Sequence, residues 1–182
     1  MAKKHKLTKN IKSCLKNPLK TGVSNFSSVV KYFLYTAPNI DCVHSCGKII
    51  DNRANVIFEE MINAANMAKK YKSLTRISKA SFNQYGLQGD SIDFKESRMT
   101  FKRYGSEDNL TALVRHIRNA FAHGLVYIWK DTRNNNTPYV LLDDYEKDKR
   151  SGKLSQTARI VIPFSALEQW KSILENEIAT GE

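Results

Sequence analysis

The chain has 182 residues, of which 41% are hydrophobic and 26% are charged, so it suits one compact domain with a buried core and is not disordered throughout. No run of about 18 apolar residues occurs, and the sequence therefore predicts neither a membrane span nor a membrane partner. Three cysteines do not make a disulfide framework, and reduced thiols in a cytoplasmic protein are the simpler interpretation.

The formal net charge of +11 is concentrated near the N-terminus. Residues 1–40 hold eight lysines and no acid, and the remaining 21 basic and 18 acidic residues leave a charge of only +3. We therefore predict a basic, flexible N-terminal arm at 1–22, followed by a single domain at 23–182. Such an arm can bind nucleic acid through its phosphates without reading sequence, or it can be a solvated terminus that only adds solubility.

Apolar residues at helical spacing predict three helices in the first two thirds of the chain. Their approximate ranges are 24–37, 51–72 and 106–124. The third helix is the clearest, because capping residues precede it and Gly124 is a natural C-terminal stop. The segment 75–105 contains three glycines, and we predict that it is irregular with one short element at 92–103.

After Gly124 the hydrophobic period changes to that of short β-strands. Runs rich in β-branched and aromatic residues cover 125–130, 139–145 and 158–162. The links between them are too short to hold a crossover helix, so we predict three antiparallel strands and then a last helix at 165–174. The expected fold is mainly α within the α+β class: a helical bundle with a small three-stranded antiparallel sheet, inserted at about 125–162 before the last helix.

One face of the third predicted helix carries the candidate chemistry of the chain. At about 100° per residue its apolar side chains cluster on one side, and a polar group lies on the opposite side, pointing away from the core. This group contains Arg115, His116, Asn119 and His123, with Arg118 at the edge between the two faces. The alternative is the solvated polar stripe of an ordinary amphipathic helix.

These residue types suit metal-free cleavage of an RNA phosphodiester. A histidine can activate the 2′-hydroxyl or protonate the leaving oxygen near neutral pH, an arginine matches phosphate oxygens, and an asparagine can orient either partner. One histidine cannot easily be both acid and base in one step. A second copy of the helix in a two-fold dimer would supply the missing group.

The six residues from Arg118 to His123, Arg-Asn-Ala-Phe-Ala-His, match the Arg-polar-x-x-x-His signature of HEPN domains. The wider stretch 113–124 and the segment 160–170 resemble HEPN proteins of bacterial plasmids and prophages in particular. The resemblance implies a HEPN-like helical bundle, a homodimer, and a metal-independent endoribonuclease that serves as a toxin, in antiviral phage defence or in RNA processing. An antitoxin or another regulatory protein would then be a partner beside RNA.

By this resemblance Arg118 and His123 would be catalytic, and Asn119 would support them. Arg115 and His116 are predicted from the helical face alone, as contacts to substrate or phosphate. HEPN toxins that are silenced by nucleotide transfer carry a tyrosine two residues after the histidine, and here that position is Leu125, which argues against this control. The alternative function is a non-catalytic HEPN module that binds RNA, a nucleotide or a protein partner.

Two other clusters are not expected to carry function. Cys42, His44 and Cys46 offer three metal ligands, but a structural zinc site needs a fourth, so we expect no metal and no cofactor. Asp143 and Asp144, with Glu146 and Asp148, form an acidic patch near a predicted turn, which is expected to be solvated or to face the basic arm of a partner subunit.

Overall fold

A computed structural model of the chain describes residues 23–38, 53–89, 92, 94, 96–130 and 138–179. The predicted arm at 1–22 and the cysteine-rich segment at 42–46 lie outside these residues. The described part contains the helices α1 (Phe26–Lys31), α2 (Ala54–Ala64), α3 (Lys79–Asn83), α4 (Asn109–Ala122) and α5 (Phe164–Ala179). A short π-helical segment, Tyr32–Thr36, continues α1. No helix in these ranges combines the length and the hydrophobicity that crossing a bilayer requires.

A five-stranded mixed sheet lies at the centre of the fold. Its strands are β1 (Tyr71–Leu74), β2 (Arg98–Lys102), β3 (Val126–Lys130), β4 (Pro138–Lys147) and β5 (Leu154–Pro163). They are arranged in the order β1-β2-β5-β4-β3, with β1 and β2 parallel and every other neighbouring pair antiparallel. The predicted helical bundle with a three-stranded antiparallel sheet is therefore wrong, although the three predicted strands exist as β3, β4 and β5.

The sequence analysis missed β1, and it predicted β2 only as a short element of unstated type at 92–103. All four residues of β1 are half-buried, so this edge strand shows no apolar alternation. The helix predicted at 51–72 ends at Ala64, because Asn66 and Lys69 adopt left-handed backbone angles that a helix cannot continue. β2 alternates Met99 and Phe101 with Thr100, but only five residues are available to display the pattern.

Both faces of the sheet are covered, and each cover forms its own hydrophobic core. The first core joins α1, α2, α4 and α5 to one face of the sheet, through residues such as Phe58, Ile117 and Trp170. The second core lies on the opposite face, where the segment between β1 and β2 packs Phe82 and Phe94 against the sheet. Consecutive residues of the central strands therefore alternate between two buried environments, and this alternation decides where the polar residues of β4 lie.

Candidate functional site

Helix α4 has well-defined ends, and these ends set the positions of its polar residues. The side chain of Asp108 caps the N-terminus by accepting a hydrogen bond from the Thr111 amide at 2.9 Å. At the other end, the amides of Gly124 and Leu125 donate to the carbonyls of Phe121 and Ala120 at 3.2 and 2.8 Å, which is a Schellman motif. Gly124 has a φ of 65°, which glycine adopts without strain.

His123 is the C-terminal cap residue of α4 and its side chain is exposed. Its main-chain amide donates to the carbonyl of Asn119 at 2.9 Å, which keeps the residue on the helix. Within the part of the chain that the structure describes, no hydrogen bond engages its imidazole. The side chain of His123 is therefore available to a ligand.

Arg118 joins α4 to the segment that follows α1. Its Nε donates to the carbonyl of Phe33 at 3.1 Å, and one terminal nitrogen donates to the carbonyl of Ala37 at 2.7 Å. The guanidinium therefore organises the turn at the end of the π-helical segment. Arg118 precedes His123 by five residues, about 7.5 Å along the helix axis, so the structure brings both motif residues to the C-terminal part of α4.

His116 is not on a solvated surface, because only 1% of it is exposed. Its Nε2 lies 2.7 Å from the carbonyl oxygen of Lys102, and since a carbonyl can only accept, this nitrogen carries a proton. Its Nδ1 lies 2.6 Å from Oδ2 of Asp144. The expectation that His116 points away from the core is therefore wrong: this part of the polar face packs against β4.

Asn119 shares the carboxylate of Asp144 with His116. The Nδ2 of Asn119 donates to the same Oδ2 atom at 3.1 Å, and the Tyr145 amide donates to Oδ1 at 2.9 Å. Burial alone would raise the pKa of Asp144, but the hydrogen bond and charge of His116 and the bonds from Asn119 and Tyr145 outweigh burial and hold it below its usual range. The pair is thus a buried carboxylate and imidazole, joined by a hydrogen bond, that position Asn119.

Arg115 is half-buried and already paired. Its Nε and one terminal nitrogen each lie 2.8 Å from an oxygen of Glu107, and it also covers the ring of Tyr104 at 4.4 Å. Burial would raise the pKa of Glu107, but hydrogen bonds from Arg115 and from the Tyr104 amide lower it below the usual range. A phosphate at Arg115 would have to share the guanidinium with Glu107.

Replacing Glu107 with glutamine should destabilise the protein in a pH-dependent way. Because the pKa of Glu107 is lowered on folding, its stabilisation is complete above the ordinary glutamate pKa of about 4.3 and is lost as the pH falls through the folded value. We expect a loss of about 1 kcal/mol in urea unfolding at pH 7, and a much smaller loss near pH 3. The exposed Glu60→Gln variant should differ from wild type by less than about 0.5 kcal/mol at both values. An equal loss for Glu107→Gln at both pH values would contradict the ion pair.

The prediction that the acidic patch is solvated is wrong for the pair Asp143 and Asp144 on β4, whereas Glu146 and Asp148 are exposed. Asp143 is 2% and Asp144 3% exposed, and they point to opposite faces because consecutive strand residues alternate. Asp144 meets His116 on the helix side, whereas Asp143 binds Arg159 on the other side at 2.6 Å. The sequence interpretation missed that these two aspartates are buried, one on each face of the sheet.

The comparison with protein families identifies the domain. The family model described as HEPN pEK499 p136 matches residues 49–178, which is more than two thirds of the chain. The chain belongs to the HEPN domain family. Neither the curated proteins nor the solved structures gave a match. The matched range includes the whole of α4 and the sheet, so this HEPN domain carries Arg118, Asn119 and His123 within its family region.

Proposed function

We propose that this HEPN domain is a metal-independent endoribonuclease. The observation that carries the proposal is the contrast between the two histidines that the structure describes. His116 is buried with both ring nitrogens engaged, whereas the imidazole of His123 is exposed at the end of α4. His123 is therefore the described histidine that can exchange a proton with an external substrate near neutral pH.

The proposed reaction is transfer of a phosphodiester within the RNA chain. The 2′-oxygen attacks the adjacent phosphorus and loses its proton, and the bond from phosphorus to the 5′-oxygen breaks as that oxygen gains a proton. The products are a 2′,3′-cyclic phosphate and a 5′-hydroxyl end. His123 serves one of the two proton transfers, and His123 of a second copy in a homodimer serves the other.

Arg118 and Asn119 supply the remaining roles in this proposal. The positive charge of Arg118 stabilises negative charge on the phosphate, and Asn119 orients the substrate from a position that Asp144 maintains. Arg115 is a candidate phosphate contact through an ion pair shared with Glu107. His116 would act on the substrate only indirectly, through Asp144 and Asn119.

The biological setting proposed for this RNase is the bacterial cytoplasm. The resemblance to plasmid and prophage HEPN proteins supports a role as a toxin or in phage defence, with an antitoxin or another regulatory protein as a partner.

The test is cleavage of a panel of labelled single-stranded and hairpin RNAs by the purified full chain in EDTA. We expect wild type to leave 2′,3′-cyclic phosphate ends, and His123→Ala to lower the rate by about 10²- to 10⁴-fold while keeping the circular dichroism spectrum and the RNA affinity. Lys31→Ala, which removes an exposed cation on α1, should cleave like wild type. An intact RNA panel with and without added metal, or equal cleavage by His123→Ala, would contradict the proposal.

A non-catalytic HEPN module is the second candidate, and one observation favours it. The guanidinium of Arg118 bonds two main-chain carbonyls, at Phe33 and Ala37, which gives the motif arginine a structural use. In that case the domain binds RNA, a nucleotide or a protein partner and no phosphodiester is cut. Arg118→Ala would then lower the stability of the fold, and wild type would have no cleavage to lose.

A further inference from the structure

A basic groove lies where the ends of β1, β2 and β4 meet the start of β5. It is an open cavity of about 660 Å³, and five of the side chains that line it are cationic: Arg76, Lys102, Lys147, Lys149 and Arg150. They come from three separate segments of the chain, so the fold assembles this surface and it is not a run of lysines in the sequence. None of these residues belongs to the HEPN motif on α4.

The two acids in the wall of the basic groove already have partners. Glu146 accepts a bond from Lys102 Nζ at 2.7 Å. Asp148 uses Oδ1 to accept bonds from the amides of Arg150 and Ser151 and from the Ser151 hydroxyl, so it organises the turn between β4 and β5. The other four cations form no ion pair with a described residue, and the wall holds five cations against two acids.

The remaining groups of the wall favour phosphate over a nucleobase. Thr157 is 2% exposed, and its hydroxyl has no hydrogen-bond partner among the described residues, which is uncommon for a buried polar group. It lies at a β-bulge, where Asp144 pairs with Ala158 and Tyr145 with Gln156. No described lining residue is aromatic, and the adjacent ring of Tyr104 is already covered by Lys102 and Arg115, at 4.5 and 4.4 Å from its centre. Cations and hydroxyls without a ring recognise the backbone of a nucleic acid strand.

We propose that the basic groove binds the phosphate backbone of an RNA strand, without reading its bases, and delivers the strand to the motif on α4. Delivery of a substrate rests on the proposed nuclease function, whereas binding of RNA in the basic groove can be tested without any cleavage. Glu146 and Asp144 lie on the same side of β4, and Asp144 contacts His116 and Asn119. From His116 to His123 is about 10 Å along the axis of α4, so a few nucleotides can span the groove and the exposed histidine.

The test measures the affinity of a labelled 20-nucleotide RNA for the full chain in EDTA, in the His123→Ala background so that no cleavage interferes. Lys147→Gln and Arg150→Gln are combined as the groove variant. Lys31→Gln and Lys69→Gln, two exposed cations outside the groove, form a control with the same loss of charge and the same N-terminal arm. Circular dichroism establishes that each protein is folded.

We expect the groove variant to raise Kd about tenfold or more at 0.1 M salt, and to lower the slope of log Kd against log salt by about 1.4, since each lost contact to a single strand removes about 0.7. The control should change Kd by less than about twofold. Equal weakening in the two variants would overturn the groove and leave only a net-charge effect.

A competition arm distinguishes an RNA backbone from a free nucleotide as the source of phosphate. ATP should displace the RNA only at millimolar concentration, because the groove offers no ring for its base. Displacement by ATP at micromolar concentration would overturn the backbone proposal in favour of a nucleotide site. If wild type cleaves no RNA while the groove variant still loses affinity, the nuclease proposal fails and the groove remains.

Discussion

Replacing Asp143 with alanine should lower the free energy of unfolding by about 3–5 kcal/mol, because it leaves the charge of Arg159 buried without a partner. Arg159 is 7% exposed, and its Nε and one terminal nitrogen lie 2.6 and 2.7 Å from the two oxygens of Asp143. Its other terminal nitrogen donates to the carbonyls of Leu87 and Gly89. The ion pair therefore also fastens the segment between β1 and β2 to the sheet.

Urea unfolding followed by tryptophan fluorescence measures this loss. Glu60→Ala removes an exposed carboxylate on α2 and should change stability by less than about 0.5 kcal/mol. Asp143→Asn keeps the shape of the side chain and serves if the alanine variant does not fold. Replacing both partners, with Asp143→Leu and Arg159→Met, should recover much of the loss because no buried charge is left. A loss below 1 kcal/mol for Asp143→Ala would contradict a buried pair.

The helices with strong hydrophobic patterns were predictable from the sequence, and the sheet was only partly so. The third predicted helix is confirmed as α4, because capping by Asp108 and termination at Gly124 are local properties that the sequence displays. The parallel pairing of β1 with β2 is not local. It joins strands that are separated by 23 residues, and β1 has no alternation of apolar and polar residues that would predict a strand.

The acidic pair shows how burial on two faces can be inferred from sequence, although it was missed. Val140, Leu141 and Leu142 are consecutive apolar residues in one strand, which indicates that both faces of that strand are covered. Two acids that continue such a strand are then expected to be buried on opposite faces. Each would need a partner, and on the far face the partner is Arg159.

The residues of the candidate site could be predicted from their spacing on one helix, but the burial and the hydrogen-bond partners of each residue could not. Helical spacing places His116, Asn119 and His123 on one side of α4, and it contains no information about what packs there. Because Asp144 of β4 packs against that side, His116 and Asn119 become its partners, whereas His123 is the cap residue at the end of the helix and is exposed. The same stripe therefore divides into a buried support and an accessible end.

Replacing Asp144 with asparagine should lower kcat for RNA cleavage by about tenfold to a hundredfold, with a smaller change in KM. Asparagine has one oxygen where Asp144 uses two, so it cannot accept from Tyr145 on one side and from His116 and Asn119 on the other. Asn119 then loses its anchor, and a displacement of about 1 Å at a catalytic group is enough for a loss of this size.

Asp143→Asn is the matched control for this measurement, because it changes the neighbouring residue on the opposite face of β4. Its carboxylate contacts Arg159 and Gln156, and none of its described side-chain partners lies on α4. Both variants lose a buried charge, so both should be destabilised. Rates are compared at a temperature at which circular dichroism shows that both variants are fully folded. A difference in kcat then reflects the position of Asn119 and not the stability of the fold.

We expect Asp143→Asn to keep the kcat of wild type for each folded molecule, and Asp144→Asn to lose it. Because folding lowers the pKa of Asp144, its carboxylate is fully ionised above the ordinary aspartate pKa of about 3.9, and the hydrogen bonds that it accepts as an anion weaken as the pH falls through the folded value. The rates are therefore compared between pH 6 and pH 8, where the Asp144 carboxylate of wild type is ionised. Equal kcat values in the two variants would mean that Asp144 only stabilises the fold, and that its hydrogen bond to Asn119 does not affect the rate.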